Sequence, residues 1–256
     1  IVADLGAALT LRERVPALPL HISTQANTLN APAARHYHEA CGAERVILAR
    51  ELSLADIAAL RAAVPDTLTL EAFVHGAMCV SYSGRCLLSA ALAGRSANRG
   101  ACAQPCRWRY ALVEESRPGE YLPVCEDARG TYLYSAYDLC MLERLPALRD
   151  AGVGSLKIEG RMKTAYYVAV VTRVYRDALD ALELRGEAAY RALLPELRAE
   201  LDKASHRAFH TGFYLGEAKP AAGADGFTQT MELSAVVTQA APAGAPARVS
   251  LKNRFY

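Results

Sequence analysis

At 256 residues, 52% hydrophobic and 22% charged, the chain suits one large packed domain or one and a half, and its composition excludes a disordered or fibrous protein. A net charge of +2 and a pI near 8.2 exclude a global pull toward nucleic acid, so any RNA contact must come from a local patch. The longest apolar stretches, near Val168–Val171 and Val236–Val237, fall far short of the ~18 apolar residues of a membrane span.

In chain order, residues 1–6 read as a β-strand running into a turn, with no initiating Met, basic segment or cleavage site, so the chain is expected to begin in mid-domain. Further short apolar or β-branched runs at Leu20–Ser23, Arg45–Leu48, Leu68–Phe73 and Ser155–Ile158 predict strands. Helical spacing lies between them over Ala31–Cys41 and Ser53–Ala63. Such alternation predicts βα units and an α/β fold with a parallel sheet. Ser53 is a natural N-cap, with Asp56 in the first turn, and Gly42 and Gly152 are natural helix stops. Between Phe73 and Gly154 the alternation breaks into a segment rich in Cys, Gly, Arg and Tyr, the mark of a long functional insertion. Two long helices follow, over Thr164–Leu184 and Ala188–Ala204, with a breaker at Thr211–Gly216. Strands are expected at Glu232–Gln239 and Arg248–Leu251, and the chain ends inside what reads as β structure, so truncation at both ends is expected.

Seven cysteines, six of them between Cys79 and Cys140, with nothing pointing to export, favour metal ligation in a reducing, cytoplasmic setting over a disulfide framework. Cys79, Cys86, Cys102, Cys106, Cys125 and Cys140 compete for the four places of an iron–sulfur cluster or structural zinc, whose soft metals thiolates suit. No C-x-x-C pair exists, which makes zinc the weaker metal. His75 and Cys79 leave a strand on the side where parallel α/β folds build their sites. The candidate catalytic residues are Glu71, His75 and Glu159.

Lys157, Glu159, Arg161 and Lys163, where a strand ends and a helix begins, form a candidate cradle for a carboxylate or phosphate; the plain alternative is a solvated ion pair. His21, Gln25 and Asn27, with Arg50 after the next strand, offer imidazole, amide and guanidinium groups to the same mouth. His206 is a further binding candidate, explained equally well by packing. The stretch Arg95–Tyr110 interleaves arginines with Trp108 and Tyr110, a pattern able to touch an RNA backbone or to neutralise a thiolate cluster.

The run Glu71–Ser89, with Asn98–Trp108, Asp138–Cys140, Lys157–Lys163 and Ser205–Arg207, resembles the collagenase-like peptidase family of unassigned catalytic type. That family is similar to prephenate-dependent hydroxylases of transfer RNA wobble uridine and of ribosomal RNA cytidine. The resemblance implies an incomplete TIM-like (β/α) barrel over residues 1–218, with a cysteine-rich insertion at 74–142, and the start of a small C-terminal β domain over 228–256. It also implies a [4Fe–4S] cluster on Cys79, Cys86, Cys102 and Cys140, with Cys106 the rival for one place, and prephenate as an acidic co-substrate. The expected partners are RNA, transfer RNA before ribosomal RNA, and the iron–sulfur assembly machinery, with no membrane. The rival activity is proteolysis, for which no Gly-x-Ser-x-Gly elbow or His-Glu-x-x-His helix is present. A third reading is a non-catalytic, cluster-bearing partner protein.

Overall fold

The computed structural model describes residues 1–79, 81–108, 111–112, 122–123, 137–216, 228–231 and 233–252. The first element is a helix, α1 (Leu5–Arg14), capped by Asp4, whose carboxylate accepts the Ala7 N–H at 2.8 Å. The strand expected over the first residues is thereby reduced to one parallel bridge, Val2 to Ile22. Then come β1 (Leu20–Ile22), α2 (Ala31–Cys41), β2 (Ala43–Ile47), α3 (Leu54–Ala62) and β3 (Thr69–Ala77). Each helix has a local cause. Asn30 accepts the Ala33 N–H and Pro32 sits in the first turn of α2, while Ser53 and Asp56 form a reciprocal capping box on α3.

Beyond β3 lie the short helix α4 (Leu88–Ala93), a two-stranded pair β4 (Ala111–Leu112) and β5 (Leu122–Pro123), and then β6 (Asp138–Cys140) and α5 (Leu145–Asp150). The chain returns to the sheet at β7 (Ser155–Ile158) and continues through α6 (Ala165–Arg185), α7 (Glu187–Leu201) and β8 (Phe209–His210). A separate antiparallel pair, β9 (Ala235–Gln239) and β10 (Arg248–Leu251), follows.

One six-stranded mixed sheet organises the fold in the order β1-β2-β3-β6-β8, with β7 also paired to β3. β1, β2 and β7 run parallel to their neighbours, whereas β6 meets the last residues of β3 antiparallel. Among the described residues no pairing joins β1 to β8. Every residue of β3 after Thr69 is buried, which is why its apolar residues do not alternate with solvent-facing ones; Glu71 and His75 are the buried polar exceptions. Against the sheet α6 lays a stripe at helical spacing, Tyr167, Val171, Val174, Tyr175, Ala178 and Leu182. Each fully buried large apolar side chain of that stripe contributes roughly 1.5–3 kcal/mol. No helix among the described residues is long and apolar enough to cross a membrane.

Candidate functional site

A cavity of about 310 Å³ opens at the carboxyl ends of β1, β2, β3 and β7, the side on which parallel strands present their loops. Its floor is the Phe73 ring. The Arg50 guanidinium stacks on that ring at 4.0 Å from its centroid, and the Lys157 ammonium stands 5.5 Å away. Arg50 donates to the Ala77 carbonyl at 3.2 Å. Its buried Nε has no hydrogen-bond partner among the described residues. Lys157 is held from below by Glu71 at 3.2 Å, and the other oxygen of Glu71 binds Arg45 at 3.0 Å and Ser155 at 2.9 Å. Burial alone would raise the Glu71 carboxyl, but Ser155, Lys157 and Arg45 together hold it below the ordinary carboxylate value. Glu71 is therefore an ionised anchor outside the cavity, not a proton donor within it.

Cys79, Cys86, Cys102 and Cys106 line the same cavity. Cys79 keeps solvent contact, yet protein crowds its sulfur, and this desolvation raises its thiol; burial pushes Cys106 up to about 11, with the neighbouring cysteine sulfurs adding to the effect. Backbone N–H groups already point at two of the sulfurs, Ser81 at Cys79 and Gln104 at Cys102, the latter at 3.3 Å. Among the described residues no group of three or more His, Cys, Asp or Glu side chains stands ready to hold one metal ion. Four soft donors, two of them with N–H···S bonds, have the chemistry of a cluster's ligands, because each thiolate of a four-iron cube bonds a different iron and the ligands stand apart.

The cysteine segment is fastened to the strand ends. Glu51 accepts the Ser83 N–H at 2.8 Å and its hydroxyl at 3.3 Å, and Gln25 donates to the Ala97 carbonyl at 2.7 Å. Gly84, at φ +75°, lies so close to the Gln25 carbonyl that a Cβ there would collide with it. Gln104 adopts φ +55°, one of two non-glycine residues in the left-handed region among those described, and it too borders the cavity.

Of the residues singled out in the sequence, Gln25, Arg50, Lys157, Glu159, Arg161, Cys79, Cys86 and Cys102 line the cavity. Others do not. β3 runs past its expected end, so His75 lies inside the strand, 1% exposed, with Tyr175 and Phe209 around its ring. Burial drives its pKa down to about 3. Cys140 pairs with His75 across the sheet and rests against the Tyr175 hydroxyl at 3.9 Å, outside the cavity that Cys79, Cys86, Cys102 and Cys106 line. Lys163 turns to the Ser205 carbonyl at 2.8 Å and Asp138 at 3.7 Å, so the expected cradle divides. His21 stands half-buried on β1, its pKa lowered by burial and by Arg45. Asn27 closes the turn after β1 with its Oδ1 buried and without a partner among the described residues. His206 stacks on Phe209 at 4.1 Å. Cys125, Arg109 and Tyr110 lie outside the described residues. Phe73, Cys106 and Arg107 also line it; all three fall within recognised sequence runs, but Phe73 was not singled out as a site residue.

Fold and cavity together define an α/β protein with a thiol-walled, cation-floored site at its strand ends. The chain belongs to peptidase family U32, whose model matches residues 1–223. It is similar to an uncharacterized protease of Methanocaldococcus jannaschii, 44% identical over 218 residues, covering 84% of this chain and 51% of that one. It is also similar to tRNA hydroxylation protein P of Escherichia coli, 36% identical over 252 residues, covering 83% of this chain and 54% of that one. The 23S rRNA 5-hydroxycytidine synthase of the same organism is 40% identical over 214 residues, covering 83% of this chain and 30% of its own length. The chain thus spans about half the length, or less, of these relatives. No solved structure matches it.

Proposed function

We propose that this chain carries the site of an RNA-modifying hydroxylase, with 5-hydroxylation of a transfer RNA uridine as its reaction and prephenate as its acidic co-substrate. What carries the proposal is the cavity itself: four cysteines on one wall, and Arg50 and Lys157 on the Phe73 floor. The names of the transfer RNA and ribosomal RNA relatives give the substrate class. In this reading the mixed sheet is the described part of a TIM-like barrel, and Cys79, Cys86, Cys102 and Cys106 hold a [4Fe–4S] cluster.

A cluster bound there supplies single-electron transfer at a tunable potential. Arg50 and Lys157 receive carboxylate oxygens, Arg50 as a planar fork held rigid by its stack on Phe73. Arg161 closes the mouth, and Glu159, which accepts the Arg161 backbone N–H at 2.9 Å, is the carboxylate able to exchange a proton with a bound substrate. Proteolysis by a Cys79–His75 pair finds no support, for His75 is buried behind the cavity and, at a pKa of about 3, is too weak a base to take a thiol proton.

Iron and acid-labile sulfide in the complete protein, purified without oxygen, test the reading. About four of each per chain are expected, with loss of the cluster in C79A, C86A, C102A and C106A and its retention in C140A. Loss in C140A with retention in C106A moves the fourth place to Cys140. Colourless, iron-free protein that cleaves peptides overturns the hydroxylase, and hydroxylated uridine missing from the RNA of a deletion strain supports it.

A further inference from the structure

The 30 residues from Cys79 to Trp108 contain four arginines and no lysine, aspartate or glutamate, so this one segment carries +4 while the rest of the chain carries a net −2. Arg107 is drawn inward to Asp138 at 2.6 Å. Arg85, Arg95 and Arg99 remain exposed, with no carboxylate in ion-pair contact among the described residues. Arg95 reaches the Met162 sulfur at 3.7 Å, which places it beside exposed Arg161 at the cavity mouth.

Between these guanidiniums stand two rings. Tyr82 is 66% exposed and Trp108 46%, and they are the only exposed Phe, Tyr or Trp side chains among the described residues. Each adjoins a residue that lines the cavity, Ser83 for Tyr82 and Arg107 for Trp108. One exposed ring on a protein surface is ordinary. Two such rings, each next in sequence to a residue lining one cavity, in a segment with three exposed arginines and no carboxylate, have the chemistry of a stacking platform with a phosphate-binding rim.

We infer that this rim docks an unpaired RNA strand: Tyr82 and Trp108 stack on bases, Arg85, Arg95, Arg99 and Arg161 hold phosphates, and one nucleotide is delivered to the cavity. A duplex fits poorly, because its bases are already stacked on one another and withheld from the rings. The inference rests on the proposed function for its choice of RNA, but it concerns binding alone.

Trp108 is the chain's only tryptophan, so its fluorescence reports stacking directly. The complete protein is titrated with a short unstructured oligoribonucleotide and with an RNA duplex of the same length. Quenching is expected with the first, at a lower concentration than with the second. The dependence of log affinity on log salt should have a slope of about −3, at about −0.7 per phosphate contact. Replacing Arg85, Arg95 and Arg99 together by Gln should make that slope shallower by about 2. Y82A should weaken binding about 5- to 150-fold, the range for one lost base stack. W108A, followed by anisotropy of labelled RNA, should do the same. All these side chains are exposed, and unchanged melting of the variants verifies the fold. Equal binding of the duplex, an unchanged salt slope in the triple variant, or unchanged affinity in both Y82A and W108A overturns the inference. RNA binding as expected by a complete protein that leaves uridine unhydroxylated counts instead against the proposed reaction.

Discussion

Arg50 and Glu51 are neighbours in sequence with opposite charges, and they do not pair with each other. Arg50 stacks on Phe73 inside the cavity, while Glu51 reaches outward to the N–H and hydroxyl of Ser83, midway between Cys79 and Cys86. A carboxylate that accepts a backbone N–H is a charge-assisted bond, and removing it leaves the Ser83 amide, in a buried residue, without its partner. Glu51→Ala should cost ~1–2 kcal/mol of stability and hasten loss of iron to a chelator, although Glu51 would bind no metal; E51Q, which keeps an acceptor oxygen, should recover most of both. Equal chelator rates in E51A and the parent protein would show that the bond holds nothing. Which cysteines could serve was legible in the sequence, since residue type names soft ligands without any fold. Which four meet was not, because the choice between Cys106 and Cys140 depends on how the segment after β3 folds back over the cavity, and no spacing encodes that.

Elements were legible where local chemistry is complete. α2 has its bounds in the spacing of Ala31–Cys41 and in the stop at Gly42, which adopts φ +61°. α1 was hidden because Gly6 reads as a turn, and only the Asp4 side chain shows that a helix starts there. The most consequential difference is at β3, expected to end at Phe73 and extended to Ala77 by β6, which arrives antiparallel beyond the reach of β2. That long-range pairing encloses His75. Its native pKa, lowered by burial to about 3, lies below the ordinary imidazole value of about 6.5. Folding therefore gains stability from the neutral ring above about pH 6.5, and the gain is lost as pH falls toward 3, because the unfolded chain then binds a proton that the folded chain refuses. The slope should approach ~1.4 kcal/mol per pH unit within that window. H75F should flatten it, and denaturant midpoints at several pH values measure the difference. An identical pH slope in H75F would mean that His75 is not buried neutral.

At the scale of the whole molecule, one buried carboxylate ties together parts of the chain far apart in sequence. Asp138, fully buried at the start of β6, accepts from Arg107 at 2.6 Å and from the Arg207 backbone N–H at 3.1 Å, with the Lys163 ammonium at 3.7 Å. Arg207 in turn donates to the Arg107 carbonyl at 3.0 Å. The node thus joins the cysteine segment, the sheet, the entry to α6 and the turn before β8, and it fixes Arg107 in the cavity wall. Burial alone would raise the Asp138 carboxyl, but Arg107, Lys163 and the Arg207 N–H keep it below the ordinary value, so it is ionised at neutral pH. Breaking one side of a buried pair is costly because the remaining charge is stranded, typically ~3–5 kcal/mol. Arg107→Ala should therefore lower the melting temperature by about 10 °C in a chain of this size. Asp138→Asn should do comparable harm, and the double variant should lose less than the sum, because neither member of the Arg107–Asp138 pair is then left without the other. Thermal unfolding followed by circular dichroism on all four proteins closes the cycle. Strict additivity would mean that Arg107 and Asp138 act independently and that the cysteine segment is held to the sheet by its other contacts, those of Glu51 and Gln25.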